Sequence, residues 1–353
     1  MSNKLNPWEI STLTPEKYIK IKRFYSLQNM NFDLKDNPNF IKRHLIIGHD
    51  NFDVWLKKAK SGKKVALVSG FMTSGFLHLG SLTVLRQMAY YQKRYGAEVF
   101  IPIADLEAMC VRKTSSSEIR AILTDFLAHF YAAGLDMKKT KIYLQTKNLE
   151  ILRKASLLTA KIDFSDLEKI YDRRLNFGEA FSSLVMAADI LLPQEKGYEA
   201  TLITLGIDEI CHFILVKKLI SLLGKEFYLP SITYNKILTG LNGSKMGKSI
   251  PENSILLSDS LPVAVEKLEK LKNKNRDLFE NTAFNILEWY SDEDSNVNKV
   301  LECPDKTEAN NLAIEESCKI MSKLLSEHQR NYKKHYSVAK KLCDRLMKNG
   351  KNY

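Results

Sequence analysis

Residues 63–105 read KKVALVSGFMTSGFLHLGSLTVLRQMAYYQKRYGAEVFIPIAD, and this stretch decides the fold. KKVALVSGF (63–71) is an apolar run of strand length, followed by the glycine-rich loop MTSGFLHLG (72–80). SLTVLRQMAYYQKRYG (81–96) has helical spacing and stops at Gly96, suited to the left-handed position beyond a helix end. AEVFIPIAD (97–105) is a second buried strand. A strand, crossover helix and strand in so short a span form a βαβ unit, which implies a parallel sheet covered by helices on both faces.

The alternation continues downstream. Ser115 and Glu118 make a capping box for EIRAILTDFLAHFYAAG (118–134), closed by Gly134. KIYLQT (141–146) and ATLITLGID (200–208) are further strands, separated by a helical insertion at about 150–195. After LTGLNGSKMGKS (238–249) and the apolar run SILLSD (254–259), only helical periodicity remains. The expected fold class is therefore α/β, with a doubly wound, Rossmann-like parallel sheet followed by an α-helical part. The expected divisions are an N-terminal appendage (1–60), the α/β domain (61–260) and a helical domain (261–353).

Composition narrows the partners. The 353 residues carry 44% hydrophobic and 27% charged side chains and a formal net charge of +12, which favours a polyanionic partner such as nucleic acid. Five cysteines without any CxxC pair argue against a disulfide framework or a zinc ribbon and fit a reducing cytoplasm. MSNKLNPWEISTLTPEKYIK (1–20) has no apolar run of signal-peptide type. Val65–Leu85 lacks charged side chains but holds three glycines, several Ser/Thr and His78, so no membrane span is expected.

Two loops carry chemistry. His78-Leu79-Gly80-Ser81 opens a helix at the carboxyl end of a strand, where free N–H groups and the helix dipole favour an anion. His78 can donate a hydrogen bond to a phosphate, or simply cap the helix, and Gly80 allows close backbone approach. Gly243-Ser244-Lys245-Met246-Gly247-Lys248-Ser249 suits a mobile clamp on a polyphosphate, or a solvated basic loop. It is not a Walker loop, because that spacing needs a glycine where Asn242 stands.

In this order, HLGS and KMGKS resemble the HIGH and KMSKS signatures of class I aminoacyl-tRNA synthetases. SGFMTSGFLHLG, IADLEAMCVRK, AADILLPQ, LGIDEICHF and GSKMGKSIPENSILLSD resemble successive blocks of the archaeal-type tryptophanyl enzymes. NPWEIS and RHLIIGHDNF are similar to their lead-in, and LLSEHQRNYKKH to their C-terminal helical domain. The resemblance implies ATP with Mg²⁺, an aminoacyl-adenylate and transfer of L-tryptophan to its tRNA. It implies that Gly70, His78, Gly80, Ser81, Asp208, Lys245, Met246, Lys248 and Ser249 bind ATP, with His78, Lys245 and Lys248 catalytic. Glu107 and Glu209 would face the substrate ammonium, Met186 and Asp189 the indole. No protein-held metal is implied, a homodimer is, and residues 261–353 would read the anticodon.

Three positions depart from the family pattern. Ser81 stands for the last His of HIGH, Gly247 for the central Ser of KMSKS, and Glu209 for a Gln. These keep open a synthetase-like RNA-binding paralogue, beside a tyrosyl enzyme and a nucleotidylyltransferase. Residues 331–353 hold seven Lys/Arg against Asp344, a local net of +6 that either contacts tRNA phosphates or is a solvated helix end.

Overall fold

The structure is a computed structural model; it describes Leu5 and residues 14–247, 250–273 and 277–353. Among them six strands form one sheet: β1 (Ile46–Asp50), β2 (Val65–Val68), β3 (Glu98–Ile103), β4 (Thr140–Leu144), β5 (Ala200–Gly206) and β6 (Ser231–Asn235), in the order β1-β6-β5-β2-β3-β4. The strands from β6 to β4 run parallel, as the βαβ reading requires. β1 is antiparallel to β6 at the edge, so the sheet is mixed.

The helices begin with α1 (Pro15–Phe24), α2 (Asn39–Lys42) and α3 (Phe52–Lys60). Between the strands come α4 (Leu79–Tyr95), α5 (Asp105–Arg112) and α6 (Ser116–Ala132). The insertion is α7 (Leu149–Thr159), α8 (Phe164–Tyr171) and α9 (Phe177–Glu195), followed by α10 (Ile210–Leu223) after β5. The C-terminal region holds α11 (Leu261–Glu269), α12 (Thr282–Tyr290), α13 (Asp294–Leu301) and the 44-residue α14 (Lys306–Asn349). Local punctuation matches the sequence reading. Gly96 ends α4 at φ +66°, Gly134 follows α6 at φ +92°, and Ser115 and Glu118 form both halves of a capping box.

Two cores flank the sheet, one on each face. The first is built from α3, α4, α6, α12 and α14; the second from α7, α8, α9 and α10. Two expectations change here. Residues 46–60, assigned to an appendage, supply β1 and α3, and Trp55 is fully buried with its indole N–H donating to the Ala66 carbonyl at 3.1 Å. The packing has no break near residue 260 either. Leu123 and Phe126 of α6 share one core with Leu342 and Leu346 of α14, because each helix turns an apolar stripe toward the other. β6, SITYN, escaped the sequence reading: it is short and half polar, yet every residue is buried.

The chain winds β2, β3, β4 in one direction, then returns to place β5 on the other side of β2. The carboxyl ends of β2 and β5 thus bound the topological switch point, where connections diverge and leave a crevice. The first leads into HLGS and the second into LGIDE. No described helix is long and apolar enough to cross a membrane.

Candidate active site

His78 is the N-cap of α4 in extended conformation, and its Nδ1 accepts the Gly80 N–H at 3.1 Å. The capping role is therefore real, and it selects the tautomer with hydrogen on Nε2, a donor fit for an anionic oxygen. Gly80 is part of the same cap. Its N–H is engaged by His78, and a Cβ there would lie 3.0 Å from the imidazole, so glycine accommodates the cap. At Gly70 a Cβ would meet Pro102 at an ordinary 3.5 Å, so no steric need for glycine exists. Ser81 is buried in the first turn of α4.

The two motif loops are laced together. Leu79 N–H donates to Ile255 O at 3.2 Å and Leu257 N–H to Leu77 O at 2.9 Å, around a bridge between His78 and Leu256. SILLSD is thus the backbone tie that holds the second motif beside the first.

Asn253 shapes the base of the KMGKS loop. Its carboxamide accepts from Asn242 N–H at 2.7 Å and donates to Ser244 Oγ at 3.0 Å and Lys245 O at 3.2 Å. Gly240 is obligatory beneath it, since a Cβ would come within 2.3 Å of the Asn253 amide nitrogen. Met246, expected to touch ATP, instead has its side chain buried in the core and anchors the loop through N–H to Leu238 O at 2.9 Å. Gly247 is held by Ser254, which accepts its N–H at 3.2 Å and donates to its carbonyl at 2.9 Å. Lys248 and Ser249 lie outside the described residues.

Lys245 reaches back across the switch point. Its ammonium pairs with Asp208, at the end of β5, and lies 4.0 Å from Glu209. Burial alone would lower the lysine pKa, but these carboxylates outweigh it and hold the group above its usual range. Gly206 permits this: a Cβ there would fall 2.2 Å from Asp208 Oδ1. Glu209 in turn pairs with His212 one turn later at 2.8 Å, and His212 Nδ1 meets Tyr171 Oη at 2.7 Å. Although burial opposes it, the hydrogen bond and charge of Glu209 raise the His212 pKa. The unusual carboxylate at 209 therefore has its own histidine partner. Glu107 lies in the first turn of α5, and its charge acts on both Tyr171 and His212.

Asp189 forms a second group, in mid-α9. It is 1% exposed, and its oxygens accept the Tyr143 hydroxyl at 2.8 Å and the Gln145 side-chain amide at 2.6 Å. Burial pushes its carboxyl up to about 7, against the pull of those two bonds and helped by the charge of Asp105. Met186 lies one turn earlier on the same helix, half-buried against the second core. Sequence reasoning missed His212, Tyr143, Gln145 and Asn253. Tyr143 lies in β4 and Gln145 two residues on, just past its end, and His212 is three residues past Glu209, so spacing carried a trace of each.

Residues 60–340 match the family described as tRNA synthetases class I (W and Y). The chain belongs to this family. As a class I synthetase it activates an amino acid with ATP and esterifies it to tRNA. The synthetase is 32% identical over 288 residues to the tryptophan–tRNA ligase of Methanocaldococcus jannaschii, covering 78% of this chain and 77% of that one. It is 30% identical over 363 residues to that of Hyperthermus butylicus, covering 93% and 94%. Its fold is similar to the crystal structure of tryptophanyl-tRNA synthetase from Aeropyrum pernix, with a TM-score of 0.82 at 27% identity, covering 96% and 98% of the two chains.

Proposed function

We propose that the protein ligates L-tryptophan to its cognate tRNA through a tryptophanyl-adenylate. The observation that carries this reading is the Lys245 ammonium, held by Asp208 at the switch point and laced to the helix that His78 caps. The attacking group is the substrate carboxylate, so the protein's task is positioning and charge stabilisation. His78 Nε2–H donates to the α-phosphate side. Lys245, with Lys248 beyond it, neutralises the departing pyrophosphate, and Asp208 orients Lys245 and the ribose. ATP enters as its magnesium complex, the ion held through the nucleotide's own phosphates.

Glu107 and Glu209 offer negative charge to the substrate ammonium. Asp189 takes the indole N–H, a donor that matches a carboxylate acceptor, while Met186 packs against the ring. A site built on one buried hydrogen bond rejects ligands that leave it unpaired. Helices from 261 onward read the anticodon arm, and the lysines of 331–353 contact phosphates. Phe164 and Phe177 are exposed on the insertion with their rings 5.4 Å apart, an apolar spot that suits a second copy of the chain. Five free cysteines suit the cytoplasm.

Pyrophosphate exchange screened over all twenty amino acids tests the assignment. Exchange with tryptophan alone is expected. Tyrosine-dependent exchange would move the protein to the tyrosyl branch, and no exchange at all would leave an RNA-binding paralogue.

A further inference from the structure

The outer edge of β4 is closed by the segment that follows α14. Gly350 turns the chain at φ +84°, and Lys351 bridges Tyr143 in antiparallel sense. Leu144 N–H donates to Gly350 O at 2.8 Å and Asn352 N–H to Ile142 O at 3.1 Å. The Asn352 side chain completes the attachment, accepting from Ile142 N–H at 2.7 Å and donating to Thr140 O at 3.1 Å. Tyr353 sets its ring edge-on to Tyr143, 6.2 Å between centroids. Lys147, just past β4, donates to Met347 O in the last turn of α14. The glycine is required, because a Cβ at 350 would stand 2.6 Å from the Lys147 Cβ.

Protection of a sheet edge would explain a strand here, but not what lies behind it. Ile142 and Leu144, the two residues pinned by the segment, bracket Tyr143, whose hydroxyl holds Asp189, and Leu144 precedes Gln145, its other donor. We infer that Gly350–Tyr353 is a strap that positions the amino-acid pocket, with Asn352 a positioning residue for tryptophan. The end of the long C-terminal helix thereby sets the strand that aims both donors at the specificity carboxylate. This rests on the reading of Asp189 as the indole acceptor.

The test uses the full chain with Asn352→Ala, and Asn352→Asp as the conservative variant that keeps the acceptor for Ile142. In pyrophosphate exchange, Asn352→Ala is expected to raise the tryptophan KM about tenfold, the size of one net hydrogen bond, with kcat and the ATP KM nearly unchanged. Asn352→Asp should recover part of that loss. Amide hydrogen exchange at Ile142 and Leu144 should accelerate in the alanine variant. A wild-type tryptophan KM overturns the strap, whether those amides exchange faster or not, and so does a parallel rise in both KM values. Asp189→Asn, measured alongside, separates the two ideas. If it leaves the tryptophan KM unchanged, the indole reading fails, while the Asn352 result still judges the strap.

Discussion

Replacing Asp189 by asparagine should change the pH dependence of stability in a calculable way. The carboxyl is 1% exposed and pushed up to about 7, against an ordinary 3.8. Between those values the folded protein binds a proton that the unfolded chain has released, so stability falls as pH rises, by roughly 1.4 kcal/mol per unit. The loss is absent below the unfolded pKa and complete above about pH 8, near 4 kcal/mol in total. Asparagine has the same shape and no charge to bury. Tyr143 can donate to its carbonyl, and Gln145, whose Oε1 has no partner among the described residues, can turn over to accept from its amide. Urea unfolding of both proteins from pH 4.5 to 8 should therefore show the variant gaining on the wild type by about 3 kcal/mol across the range, since about 1 kcal/mol of the loss already lies below pH 4.5. A difference that stays constant with pH would refute the buried, proton-binding carboxyl. On the proposed reading of Asp189 as the indole acceptor, the wild-type tryptophan KM should fall as pH rises through 7, because the indole N–H prefers the ionised carboxylate. In Asp189→Asn the KM is higher and flat with pH.

Lys248→Ala should cut pyrophosphate exchange by about 10²–10³-fold, as when one transition-state donor is lost, while tryptophan binding measured by calorimetry stays near wild type. Gly240→Ala forces a methyl onto Asn253 and should reduce adenylate formation together with about 1–3 kcal/mol of stability, read by thermal melting and exchange rate. His328 lies in the α6–α14 interface, 2.9 Å from His129, and burial followed by the charges of His129 and Arg86 drives its pKa down to about 3. Its contribution is present above pH 6.5 and lost as pH falls toward 3. Acidification from 6.5 to 4.5 should cost about 2 kcal/mol in the wild type beyond any cost in His328→Gln, by paired urea titrations.

What the sequence by itself determined was local. The period of 63–105, the capping box at Ser115 and Glu118, the glycines at 96 and 134, and the order of HLGS before KMGKS all report on neighbours within a turn or a strand, and such interactions are written in short spacing. They sufficed for the doubly wound sheet and, through the resemblance of the motif blocks, for the family. Tertiary structure decided which distant residues meet. Lys245 finds Asp208 across 37 positions, and Tyr143 finds Asp189 across 46, only because sheet order brings the ends of β4, β5 and β6 under their covering helices. The same cause made β1 part of the sheet, turned Met246 into an anchor, gave Glu209 a histidine partner and brought Asn352 against β4. A carboxylate in an apolar helix signals in sequence only that a partner must exist. The partner's identity depends on which strand lies beneath, and chain spacing carries no record of that.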